Sequence, residues 1–159
     1  MAPTSPYRSL SAARRVDLVT RALKRNRETR AVFVQRMVAR GGGFRAVTLQ
    51  AWPVDKLARE IVRLNAESAE DELTLLHLLY VELEPAIQVT FLDVAGVPHE
   101  AGKIADDLQP PYCDAAAVAR AAAAVRAQHG DDGLHYLTTI ARYNLESWPG
   151  LDTLLTEPA

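Results

Sequence analysis

The sequence predicts an all-α protein: a single-domain bundle of six to eight helices with a central leucine-rich helix. Three observations predict it. Apolar residues recur at helical spacing in segment after segment, and most segments open on a capping residue or a proline. Glycines and prolines stand between those segments, at Gly41-Gly42-Gly43, Pro85, Gly96, Pro110-Pro111 and Gly130. Hydrophobic residues make up 48% of the 159 but aromatic ones only 6%, so the expected core is aliphatic and alanine-based. The length fits one core-bearing domain.

The elements follow in order. Residues 1–10, with Pro3, Pro6 and small polar side chains, read as a flexible leader, leaving 11–159 as the helical domain. Ser11 caps a first helix over 12–25, in which Ala12, Val16, Val19 and Leu23 form one apolar stripe. Asn26 caps a second helix over 27–40. Its run Ala31-Val32-Phe33-Val34 has strand propensity, but Phe33 with Met37 and Val34 with Val38 are helical pairs. Thr48 to Trp52 is a short turn of helix or a loop. Pro53 opens a third helix to about 65, with Val54, Leu57, Ala58, Ile61 and Leu64 inward. Ser68 caps the fourth, whose first turn carries Glu70, Asp71 and Glu72. Its leucines fall on nearly every side, which places it at the centre.

Pro85 ends that helix and starts the next. Residues 86–95 have strand propensity, yet Gly96-Val97-Pro98 is the pattern of a helix closing on a left-handed glycine. Residues 99–111 form an irregular connection with a short helix near 104–108. Asp114 caps an alanine-rich helix over 115–128, Gly130 ends it, and a last long helix covers 132–145. Trp148-Pro149-Gly150 leads into a short terminal helix. Each of Trp52 and Trp148 is expected to pack just ahead of a proline-started helix.

Charge is distributed unevenly. The formal net charge is −2, but residues 1–45 carry eleven bases and two acids, and residues 46–159 seven bases and eighteen acids. A basic helical segment (11–45) thus precedes an acidic helical body (46–159). The basic segment docks on its own body, pairs with the body of a second copy, or binds an external polyanion.

No reaction motif stands in the chain. One cysteine, Cys113, excludes an internal disulfide and a Cys-rich zinc site, although a thiol at a helix N-terminus is a candidate for a lowered pKa. The cluster from His129 to His135 holds metal-ligand residue types, but helix caps account for each of them. His77, Tyr80 and Glu84 share a face of the fourth helix without a nucleophile. No catalytic residue, cofactor or metal is therefore expected, and no apolar run is long enough for a membrane. The expectation is a small cytoplasmic, non-enzymatic interaction module with a protein partner or itself. Binding nucleic acid through the basic helices is the alternative, and an enzyme of undetermined class the third reading. The candidate contact residues are Arg14, Arg21, Lys24, Arg25 and Arg30, with His99, Glu100 and Lys103 in the polar loop.

Overall fold

Helices dominate the computed structural model, which describes residues 4–157. In chain order they are α1 (Pro6–Ser9), α2 (Ala12–Arg25), α3 (Arg27–Ala39), α4 (Ala46–Ala51), α5 (Val54–Arg63) and α6 (Ala69–His77). A π-helical segment, Leu78–Leu83, extends α6. Then come α7 (Pro85–Ala95), a two-residue hairpin of β1 (His99–Glu100) and β2 (Lys103–Ile104), α8 (Ala115–Tyr143), a 3-10 turn (Leu145–Ser147) and α9 (Leu151–Thr156). The two segments with competing strand propensity, 31–38 and 86–95, are both helical. Burial explains the outcome: Phe33, Val34 and Met37 go inward together on α3, and Ile87, Phe91, Leu92 and Ala95 on α7, at spacings only a helix aligns.

The caps work as their residue types require. The Ser11 hydroxyl accepts the Arg14 N–H, the Asn26 side chain accepts the Glu28 N–H, and Asp114 accepts the Ala117 N–H. Ser68 and Asp71 cap reciprocally. The serine hydroxyl accepts the Asp71 N–H, and the Asp71 carboxylate accepts the Ser68 N–H at 2.7 Å. Gly96 closes α7 in the left-handed conformation at φ 74°. Gly130 breaks α8 at φ 55° and ψ −129°, so its two halves match the two helices expected on either side. The connection after the hairpin forms no helix over 104–108.

Contacts divide the chain into two compact units, residues 1–76 and 77–159. In the first, α2 packs chiefly on α5 and also on α3, while α3 meets α4. Its core holds Leu18, Val19, Leu23, Phe33, Met37, Leu49, Leu57, Ile61 and Leu75. In the second, α7 packs along α8, and α8 carries α9. Here the core is not merely aliphatic. A chain of rings runs Tyr80–Tyr136–Phe91–Trp148–Tyr112, with successive centroids 5.1, 5.9, 4.9 and 5.4 Å apart. Few aromatics are present, and half of them gather in this one place, where edge-on contacts add to area burial.

Three expectations change. The leader is not loose where it is described. Residues Pro6–Ser9 form a helical turn, Tyr7 and Leu10 are buried, and residues 1–3 of the expected leader lie outside the described residues. The leucine-rich helix is not apolar-buried on all sides: Leu76 and Leu79 are buried, but Leu73 is 47% exposed and His77 lies in water. Nine α-helices occur among the described residues rather than six to eight, because α1 and α4 are too short to show a period in sequence. Among the described residues no single helix is long and apolar enough to cross a membrane.

Candidate functional site

The first unit carries fourteen bases and eight acids, and the second four bases and twelve acids. The acids of residues 46–76 thus fold in the same unit as the basic segment, and several arginines are held there. Arg8 bonds the Glu67 carboxylate and carbonyl, Glu72, and the Asn65 side chain. Burial works against its charge, but the Glu72 hydrogen bond and the Glu67 and Glu72 charges outweigh that and push its pKa up. Arg36 pairs with Asp71 and donates to the Ala66 carbonyl. Arg40 donates to the carbonyls of Leu64 and Asn65, at the end of α5. Arg30 donates to those of Gln50 and Trp52, at the end of α4. These guanidiniums satisfy carbonyls left without helical partners, at the negative end of each helix dipole.

The contact candidates therefore separate. Arg30 is a helix-end clamp, since its Nη2 donates to two carbonyls at the end of α4. Arg21 pairs with Asp17 one turn away, at 3.1 Å. Arg14 is half-buried. Lys24 and Arg25 stand exposed at the end of α2, and Arg27 is exposed at the start of α3. Three cations thus occupy four consecutive positions at the α2–α3 corner, turned by Asn26.

Beside that corner lies a cleft of about 370 Å³ between α2, α3 and α6. Ala22, Val32, Phe33 and Leu75 supply apolar lining, and Val32 is 44% exposed. Glu28, Glu70 and the Arg36–Asp71 pair add charge to its walls. The cleft was not legible in the sequence. The signal for it was a valine, Val32, off the buried Phe33–Met37 face of α3.

The loop candidates lie in the second unit. His99 is occupied: its Nδ1 accepts the Gly102 N–H at 3.0 Å, and its Nε2 lies 2.9 Å from Asp93. An accepting Nδ1 leaves the proton on Nε2, which donates to Asp93. The imidazole thus pins the hairpin to the end of α7. Glu100 and Lys103 face each other in the hairpin register, both exposed.

The weighed chemical clusters separate likewise. His135 Nδ1 bonds the Tyr80 hydroxyl, whereas His129 Nε2 is 3.0 Å from the Thr90 hydroxyl. Among the described residues no three His, Cys, Asp or Glu side chains gather as a metal site. Cys113 departs from the lowered thiol pKa considered for it. Burial pushes it up, the neighbouring Asp114 adds to the rise, and Arg120 opposes it more weakly. Trp52 and Trp148 differ in setting: Trp52 is half-buried with Lys56 Nζ 4.2 Å from its ring, and Trp148 is buried in the ring chain. No family model, no curated protein and no solved structure matches this chain.

Proposed function

We propose that the chain is a small non-enzymatic helical interaction module, and that its contact surface is the α2–α3 corner with the adjoining cleft. The partner is a protein segment with an apolar side chain for the cleft and carboxylates for Lys24, Arg25 and Arg27. One observation carries the reading. Arg8, Arg30, Arg36 and Arg40 are held by acids and carbonyls of their own unit, while Lys24 and Arg27 stand exposed beside apolar lining. An interface of this kind takes its energy from the apolar anchor and its orientation and encounter rate from the charges. Glu28 and Glu70 on the cleft walls repel any anion, so the cleft takes the partner's apolar side chain and the corner its carboxylates.

Nucleic acid is the second reading. Arg14, Arg21 and Arg25 recur at i, i+7 and i+11, which puts them on one side of α2. The two readings part in one experiment. The full chain is titrated with an acidic amphipathic helical peptide and, separately, with a duplex DNA oligonucleotide. Binding of the peptide that is lost in the triple variant Lys24→Glu, Arg25→Glu, Arg27→Glu supports the module. DNA binding with a steep salt dependence and no peptide binding replaces it with the phosphate reading. Binding of neither contradicts both.

A further inference from the structure

The second unit holds a cavity of about 240 Å³ whose wall includes Tyr112, Tyr136, Ser147, Trp148 and Gln88. We propose that it is a binding site for a small neutral aromatic molecule bearing a hydrogen-bonding group such as an amide. The site is independent of the α2–α3 corner.

Two buried hydroxyls point to a ligand. Tyr136 is 2% exposed and Ser147 6%, and neither side-chain oxygen has a hydrogen-bond partner among the described residues. Neither is sealed off: the buried side-chain polar atom without a partner among the described residues is Arg15 Nε, in the other unit. Both hydroxyls therefore retain access to open space, and the space these residues line is this cavity. Hydroxyls open to a cavity are met by water or by a ligand, so these two offer hydrogen bonds to whatever occupies it. Gln88 adds a third group. Its amide nitrogen donates to the Gly102 carbonyl, which fixes the side chain and leaves the amide oxygen available.

The remaining wall chooses the ligand class. Trp148 and Tyr112 present rings 5.4 Å apart and tilted by 53°, and the Tyr112 N–H is tied to the Ser147 carbonyl. Aromatic walls favour a flat partner. The lining residues include no Asp, Glu, Lys or Arg, and His77 is the one side chain there that can carry a positive charge. A charged ligand would lose hydration without a fixed counter-charge, so a neutral one is favoured. The volume lies below the roughly 300–1,000 Å³ of clefts for drug-sized ligands. It exceeds the roughly 150 Å³ that takes up benzene. One substituted ring fits. The π-helical segment supplies part of the wall through Val81, and such segments recur at functional sites.

The test uses the full chain and benzamide as probe, with benzoate as its charged counterpart. The chain has two tryptophans, so the Trp148 indole N–H resonance is assigned by its persistence in Trp52→Phe. Benzamide is expected to shift the Trp148 resonance saturably, leave that of Trp52 in place, and bind about tenfold or more tightly than benzoate. Tyr136→Phe and Ser147→Ala are each expected to weaken benzamide about three- to tenfold. Their melting temperatures should not fall, because the lost hydroxyls hold nothing within the protein. No saturable shift would mean that water alone meets these hydroxyls, and it would overturn the site. Unchanged affinity in the Tyr136→Phe, Ser147→Ala double variant would overturn it too.

Discussion

The Tyr7 hydroxyl donates to the Glu67 carboxylate at 2.7 Å across sixty positions of chain, and both residues are buried. This bond, with the Arg8 contacts to Glu67, Glu72 and Asn65, ties the N-terminal turn to the α5–α6 connection. Tyr7→Phe keeps the ring but leaves the buried carboxylate short of a donor. It should cost about 1–3 kcal/mol in urea unfolding of the full chain. A cost near zero would show that the turn is only loosely attached.

Burial raises the pKa of Tyr7, and the Glu67 hydrogen bond and charge raise it further; burial likewise raises Tyr136. A phenol in the unfolded chain ionises near pH 10, so above that pH the unfolded chain sheds protons that the folded one keeps. The stabilising contribution of these two phenols is complete below about pH 10 and falls as pH rises further. Urea midpoints across that window should drop, and Tyr7→Phe should flatten the drop. A midpoint that holds steady through strong alkali would contradict the shift.

Gly130 sits in a conformation that L-residues rarely adopt, with nothing within 4 Å of an added Cβ. At Gly133 an added Cβ would lie 2.5 Å from the Val125 carbonyl oxygen of the preceding half-helix. Gly130→Ala should therefore cost about 1–3 kcal/mol through backbone strain alone. Gly133→Ala should cost more, since the two halves of α8 must separate. Thermal melts of the two variants check the ranking.

Arg36 joins α3 to the α6 cap through Asp71 and the Ala66 carbonyl, with its guanidinium carbon 5.2 Å from the centre of the Phe33 ring. Its side chain is 28% exposed, so solvent screens part of the interaction. Arg36→Met should cost about 1–2 kcal/mol, whereas Arg27→Met, at an exposed position, should stay within about 0.5 kcal/mol of the parent. Equal losses in denaturant would erase the distinction between held and exposed cations.

Local chemistry was readable in sequence where cause and effect lie a few residues apart. Ser11, Asn26, Asp114 and the Ser68–Asp71 pair cap the helices they precede, and Gly96 closes α7. The strand-prone run around Phe33 resolved to helix because Phe33, Val34 and Met37 are buried together. What depends on distant partners was hidden. Tyr7 resembled a residue in a loose leader until Glu67 was placed beside it. Arg30 counted as a free charge until Gln50 and Trp52 offered carbonyls. The excess of positive charge near the N-terminus was plain, but its division into clamps and a corner was not. The ring chain from Tyr80 to Tyr112 assembles from the π segment, α7, α8 and two connections, so no local pattern announces it.

The most direct test of the corner as the contact surface compares two double variants that alter net charge equally. One is Lys24→Glu with Arg27→Glu at the corner. The other is Arg120→Glu with Arg126→Glu, two exposed cations on α8 in the second unit. Each is titrated with the acidic amphipathic peptide at physiological ionic strength, where charges more than about 8 Å apart are largely screened. The corner variant should lose about tenfold or more in affinity, with the α8 variant close to the parent. Equal weakening of both would mean that the peptide senses only the overall charge, and the α2–α3 corner would not be the contact surface.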